Sequence, residues 1–218
     1  MSTLIKKINI AISVEGQKRC LNNAGGENAW SATKKTGTWE KAKGKFHDGT
    51  DIATFQGAKG EEIIGQYLNL SRIDQKTDKP DKFDFSHPID GKKIEVKTLT
   101  PGWNTCLLQV QKLISKKQKF EWLNAKNPES KQGLVAHYYV FCIADASKEN
   151  WNGEILGYIT RDEILKSYSR LYPAKRRNAG GLPEWMNVEI PYTALKSIEE
   201  FKLGCTKAST TEESKTCE

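Results

Sequence analysis

Lys82-Phe83-Asp84-Phe85-Ser86-His87-Pro88-Ile89-Asp90-Gly91-Lys92-Lys93-Ile94-Glu95-Val96-Lys97-Thr98 consists of two alternating runs joined by Asp90-Gly91. Asp-Gly between alternating hydrophobic residues is a strong hairpin signal, because a two-residue type I′ turn needs positive φ at both centres and these two residues tolerate it. With Asp90 and Gly91 as the turn, Ser86 pairs with Glu95, Phe85 with Val96 and Asp84 with Lys97. Directly opposed residues share a face. Phe83, Phe85, His87, Ile94 and Val96 then form one face, suited to a core. Asp84, Ser86, Lys93, Glu95 and Lys97 form the other.

Two carboxylates and an ammonium are thereby gathered on one side of a strand pair. Like charges at this spacing repel unless a cation lies between them. Mg²⁺ is held by one or two carboxylates together with substrate phosphate, and a nearby lysine can orient or deprotonate an attacking water. These are the parts of a phosphodiesterase site. The competing reading is a surface hairpin whose Glu-Lys pair faces solvent.

At these residues the chain resembles the PD-(D/E)xK nuclease superfamily, whose core hairpin carries an Asp and, ten or more residues later, Asp/Glu-x-Lys. Here Asp84 is followed by Glu95-Val96-Lys97. Pro80-Asp81 also stands nearby, but Asp81 falls on the wrong pleat of a regular strand. The resemblance implies an α/β, restriction-endonuclease-like core with a mixed β-sheet flanked by helices. It implies metal binding by Asp84, Glu95 and the Val96 carbonyl, and water activation by Lys97. It further implies a Mg²⁺-dependent DNA endonuclease, restriction-like or of phage or mobile-element type, in which Mn²⁺ substitutes for Mg²⁺. Many members of this fold act as dimers, so a homodimer is a further expectation. The alternatives are a nucleic-acid-binding module of the same fold without catalysis, and a nuclease directed at RNA or single strands.

Gly57 to Leu68 reads as a helix with Ile63, Ile64, Tyr67 and Leu68 on its apolar face. At about 100° per residue, Glu61 falls on the flank of that face and Glu62 opposite it, in water. Gly57 and Gly60 on the buried side would let the helix approach the hairpin closely. This resembles the first superfamily helix, whose Glu completes the metal site, so Glu61 joins Asp84, Glu95 and Lys97 as a catalytic candidate.

The composition bounds the rest. A chain of 218 residues, 37% hydrophobic, can bury one sizeable core. No apolar run approaches the roughly 18 residues of a membrane span, and the N-terminus lacks a signal-peptide core, so a cytoplasmic protein is expected with no membrane partner. Five cysteines (Cys20, Cys106, Cys142, Cys205 and Cys217) without Cys-x-x-Cys spacing read as free thiols. A net charge of +7, from 34 Lys and Arg against 27 Asp and Glu, favours a polyanionic partner such as DNA.

The expected division is an N-terminal helix and basic, aromatic arm over 1–50, a nuclease core over 51–203 and a disordered tail over 204–218. Leu4, Ile5, Ile8, Ala11 and Ile12 match helical spacing better than strand spacing. In the arm, Lys34, Lys35, Lys41, Lys43 and Lys45 interleave with Trp30, Trp39 and Phe46, which reads either as a solvated connector or as a strand-tracking element. Trp103 to Val110 reads as a short strand and Lys112 to Trp122 as a helix. The resemblance implies that an element after the Glu-x-Lys strand contacts the substrate phosphate, which makes Gln111, Lys116 and Gln118 candidates by position. Leu134 to Ala144 reads as a central strand covered on both faces, Glu154 to Thr160 as its neighbour, and Arg161 to Tyr168 as a helix capped by Thr160 or Asp162. The basic loop Tyr172 to Gly181 offers Arg176 and Arg177 to phosphates. A strand at Val188 to Ile190 and a helix from Tyr192 to Phe201 close the fold.

Overall fold

The computed structural model describes residues 7–25, 52–70, 84–103, 105–112, 134, 136–167, 172–173 and 185–202. The expectations for the lysines of the arm, for Lys116 and Gln118, for Arg176 and Arg177 and for the tail lie outside them.

The architecture is mixed α/β, with a five-stranded mixed sheet, a three-stranded antiparallel sheet and flanking helices. The larger sheet has the order β1 (Ile8–Ala11), β6 (Asn152–Thr160), β5 (Tyr138–Ala144), β3 (Lys93–Leu99), β2 (Phe85–Ser86). β5 pairs parallel with β3 and antiparallel with β6, and its residues from Tyr139 to Ala144 are all buried. That double coverage explains the unbroken apolar run in its sequence. The smaller sheet has the order β4 (Thr105–Lys112), β8 (Trp185–Pro191), β7 (Tyr172–Pro173). Gln111 and Lys112 thus belong to a strand.

The two faces of β5 bury different partners. Tyr139, Phe141 and Ile143 join Cys106, Leu108, Val188 and Ile190 of the smaller sheet. Val140 and Cys142 join Ile63 and Ile64 of α2 (Ile52–Leu68), together with Phe85, Ile94 and Val96. α1 (Val14–Gly25) packs against the outer side of α2, where Cys20 meets Phe55 and Ala58. Among the described residues, no helix is long and apolar enough to cross a membrane.

Three local expectations change. Residues 8–11 form a strand, because the edge of β6 offers a ladder: Ile8 lies against Ile155 and Ala11 against Asn152. The chain between β8 and Phe201 is a single 3₁₀ turn at Tyr192–Ala194, an extended Leu195 and a short helix over 198–202. Thr160, and not Asp162, caps α3 (Arg161–Ser167). Glu163 N donates to Thr160 Oγ1 at 3.2 Å while Thr160 N donates to Glu163 Oε2 at 3.0 Å, a reciprocal capping box.

The hairpin forms with a different turn. Gly91 has φ of +62°, but Asp90 stays at negative φ, so the two-residue type I′ turn is absent. His87 N donates to Lys92 O at 2.7 Å and Gly91 N to His87 O at 2.9 Å, leaving a four-residue loop. Pro88 favours this result, since its fixed φ suits the second position of a type I turn. Ser86 therefore lies against Lys93 and Phe85 against Ile94, two residues from the expected register. A shift of two keeps every side chain on its expected face.

Candidate active site

α2 crosses the sheet over Thr98 of β3 and Cys142 of β5 at Gly60. A Cβ at Gly60 would collide with Thr98 Oγ1 and stand 2.9 Å from both Thr98 Cβ and Cys142 Sγ. Only glycine permits this approach, which brings the next residue, Glu61, to the hairpin. Gly57 has no such role, because a Cβ there would meet nothing within 4 Å.

β3 supplies Glu95 and Lys97 on one face, and the chain just before β2 supplies Asp84. Asp84 N donates to Ile94 O at 2.9 Å, and Asp84 Oδ2 accepts from Val96 N at 2.6 Å. The carboxylate is thus fixed on the backbone of the Glu95-Val96-Lys97 strand. Lys97 Nζ donates to Glu95 Oε1 in an ion pair whose side chains are 33% and 19% exposed, neither buried fully nor free in solvent.

The electrostatics join all four residues. Desolvation pulls the Lys97 ammonium down, yet Glu95, Asp84 and Glu61 together hold its pKa above the ordinary lysine value. The three carboxylates therefore outweigh burial, and Lys97 is an ammonium with three donors and no lone pair. Burial likewise pushes the Cys142 thiol up to about 12; a hydrogen bond to Thr98 opposes this, and Glu61 and Asp84 add to it. Glu61 and Asp84 act on the same two side chains from the helix and from the hairpin.

Glu62 departs from its expected place in water. It is 8% exposed, and its two carboxylate oxygens accept from Arg19 of α1, Oε1 from Nε at 2.7 Å and Oε2 from Nη2 at 2.8 Å. Helical phase set Glu62 opposite the sheet correctly, but α1 covers that side. Adjacent acids on α2 thus serve two neighbours, Glu61 the hairpin and Glu62 the first helix.

The charge cost expected between Asp84 and Glu95 is offset by Lys97 and by the Val96 N–H. The donor set of carboxylates and a strand carbonyl consists of hard oxygens, which suits a hard divalent ion. Among the described residues, no group of three or more His, Cys, Asp or Glu side chains stands at metal-holding spacing. Mg²⁺ needs one or two carboxylates and keeps its remaining positions for water and phosphate, so this donor set fits it. Comparison with family models, with curated proteins and with solved structures gives no match.

The sequence reading missed one buried cation. Lys59 is fully buried, and its Nζ donates to the carbonyls of Asp145 (2.9 Å), Ser147 (3.1 Å) and Asn150 (2.5 Å) and to Asp145 Oδ1 (3.0 Å). The rings of Phe55 and Trp151 lie 5.6 and 5.7 Å from it. It fastens α2 to the loop after β5, one residue before the Gly60 crossing. A lysine inside a Gly-rich helix gave no signal by composition.

Proposed function

We propose that the chain is a Mg²⁺-dependent endonuclease of the restriction-endonuclease-like type, hydrolysing phosphodiester bonds of DNA. The observation that carries this reading is Asp84 held on the Val96 N–H beside the Glu95–Lys97 ion pair of the same strand. A solvent-facing Glu-Lys pair would need neither the inward acid of α2 nor the glycine that admits it.

In this reading Asp84, Glu95 and the Val96 carbonyl hold the ion, and Glu61 supports it or a second one. The ion, when bound, neutralises the carboxylates and polarises the phosphate. Lys97 donates hydrogen bonds to the attacking water and to the phosphate oxygens that gain charge. Its place beside Glu95 on one face of β3 suits it to orient the water and screen the developing charge. The net charge of +7 attracts the polyanion.

The test is cleavage of duplex DNA, single strands and RNA, each with and without Mg²⁺ or Mn²⁺. Asp84→Asn and Glu95→Gln are each expected to lower the rate by about 100-fold or more, the usual cost of removing a group that stabilises the transition state. These isosteres keep the hydrogen bonds at Val96 and Lys97 within reach, unlike alanine. A variant retaining more than a few per cent of the parental rate refutes the assignment.

A further inference from the structure

Three residues of α2 fix its level on the sheet, and each meets β5 or the loop that continues it. Gln56 Nε2 donates to Ala144 O at 2.6 Å and to Thr100 Oγ1 at 3.3 Å. Lys59 Nζ donates to three carbonyls and one carboxylate oxygen of the loop 145–150. Gly60 rests on Thr98 and Cys142. The loop also braces itself. Asp145 Oδ1 accepts from Ser147 N at 3.0 Å, Asp145 Oδ2 accepts from Asn150 Nδ2, and Asn150 Oδ1 accepts from Asn152 N at 3.1 Å. The cage around Lys59 is thus a braced continuation of the strand whose Cys142 lies under Gly60.

A buried apolar side chain at position 59 would hold the helix against the sheet without fixing its level, because hydrophobic burial has no direction. An ammonium differs. Its three N–H groups need acceptors, and the cage supplies four oxygens within hydrogen-bond reach, with the rings of Phe55 and Trp151 beside them. Sliding α2 by one residue moves the chain about 1.5 Å along its axis and about 100° around it. That motion withdraws Nζ from the cage and leaves a charge buried without partners, which is strongly unfavourable. The level of α2 is therefore discrete. Glu61 stands two residues beyond Lys59, about 3 Å along the axis and nearly on the opposite side of the helix. Whatever fixes Lys59 fixes Glu61, whose charge reaches Lys97 of β3. Small errors of placement at such a site are costly, since a displacement of about 1 Å can lower a rate by about 100-fold.

We propose that Lys59 is a positioning residue of the candidate active site: its caged ammonium sets the level of α2 on β5, and thereby the reach of Glu61 toward Lys97 and the divalent ion. This rests on the phosphodiesterase reading of the Asp84–Glu95–Lys97 site, and adds to it a buried residue that touches neither ion nor substrate.

The test is Mg²⁺ binding to the full chain without nucleic acid, followed by isothermal titration calorimetry at a temperature where circular dichroism shows the variants folded. Lys59→Met should weaken Mg²⁺ binding by about tenfold or more, as loss of a group that orients a metal ligand does. Added to Glu61→Gln it should weaken binding no further, because the two act through one carboxylate. Asp145→Asn loosens the cage from the loop, leaves the sequence of α2 untouched and should shift the affinity in the same direction; it carries the test if Lys59→Met does not fold. Lys59→Met removes a positive charge and Asp145→Asn a negative one, so a field effect would move the affinity for a cation in opposite directions. Glu62→Gln, which loosens α2 toward α1, is the control and should leave the affinity unchanged. Unchanged affinity in either cage variant, shifts of opposite sign, or a Lys59→Met loss that adds in full to that of Glu61→Gln overturns the positioning role. A wild type that shows this coupling but cuts no nucleic acid overturns the phosphodiesterase reading alone, and one that binds no Mg²⁺ overturns both.

Discussion

Gly60→Ala tests whether the close crossing of α2 and β3 holds the site together. The added methyl would collide with Thr98 Oγ1 and stand 2.9 Å from Thr98 Cβ and Cys142 Sγ, where carbon contacts normally lie at about 3.5–4.0 Å. The helix or the strand must then move by the better part of an ångström, and overpacking of this kind costs about 1–3 kcal/mol. Alanine recovers about 1 kcal/mol of helix propensity, leaving a net loss of up to about 2 kcal/mol. For a chain of this length that lowers Tm by up to about 8 °C. Gly57→Ala is the matched control, since nothing lies within 4 Å of its Cβ; it should raise stability by about 0.4–1 kcal/mol. Differential scanning calorimetry of the two variants reads the contrast. Thr98→Ala in the Gly60→Ala background removes the Oγ1 collision but leaves the Cβ contact, so it should restore only part of the loss. Because Glu61 follows Gly60, Gly60→Ala should also raise the Mg²⁺ concentration for half-maximal cleavage, which Gly57→Ala should not. Equal stabilities for the two alanine variants would refute the close-approach argument.

Glu61→Gln is expected to raise the Mg²⁺ requirement or lower the maximal rate with little change in Tm. Glu62→Gln should leave the metal titration unchanged and cost about 1–2 kcal/mol, because it weakens the charge-assisted bonds to Arg19; equal metal curves for the two variants would exclude α2 from catalysis. Lys59→Met takes the donor from three carbonyls, while the Asp145 carboxylate, 31% exposed, keeps Asn150 and Ser147 as donors; it should cost about 1–3 kcal/mol in urea unfolding. Burial tends to raise the Asp145 pKa, but hydrogen bonds from Lys59 and Asn150 hold it below the ordinary 3.8. Its contribution is therefore present above that value and is lost as pH falls below it, so Asp145→Asn should flatten the acid limb of the stability curve below about pH 4; an unchanged limb would show that the carboxylate is not held by Lys59.

The shared face of Asp84, Glu95 and Lys97 could be read from one chain, because faces alternate along each strand and an even loop length keeps the two strands in step. The Asp90-Gly91 turn was misassigned, yet the error was two residues, and Asp84, Glu95 and Lys97 kept their face. A three-residue loop would have put Asp84 on the face opposite Glu95 and Lys97. Helical phase was equally sound for α2, but a periodic pattern records only which side is apolar and not what covers the other side. Arg19 lies 43 residues from Glu62, and nothing local to either residue announces the pair.

Long-range contacts decide the remaining features. Read alone, Lys59 is an ordinary helix residue, and the four acceptors of its cage come from residues 145–150, 86 to 91 positions along the chain. Lys97 shows what such convergence does to a single group. A lysine on an isolated hairpin beside one glutamate would be a solvated ion pair worth little, whereas carboxylates from the hairpin and from α2 hold this one as a cation against its burial. The field around this lysine therefore depends on the crossing at Gly60 as much as on its own strand.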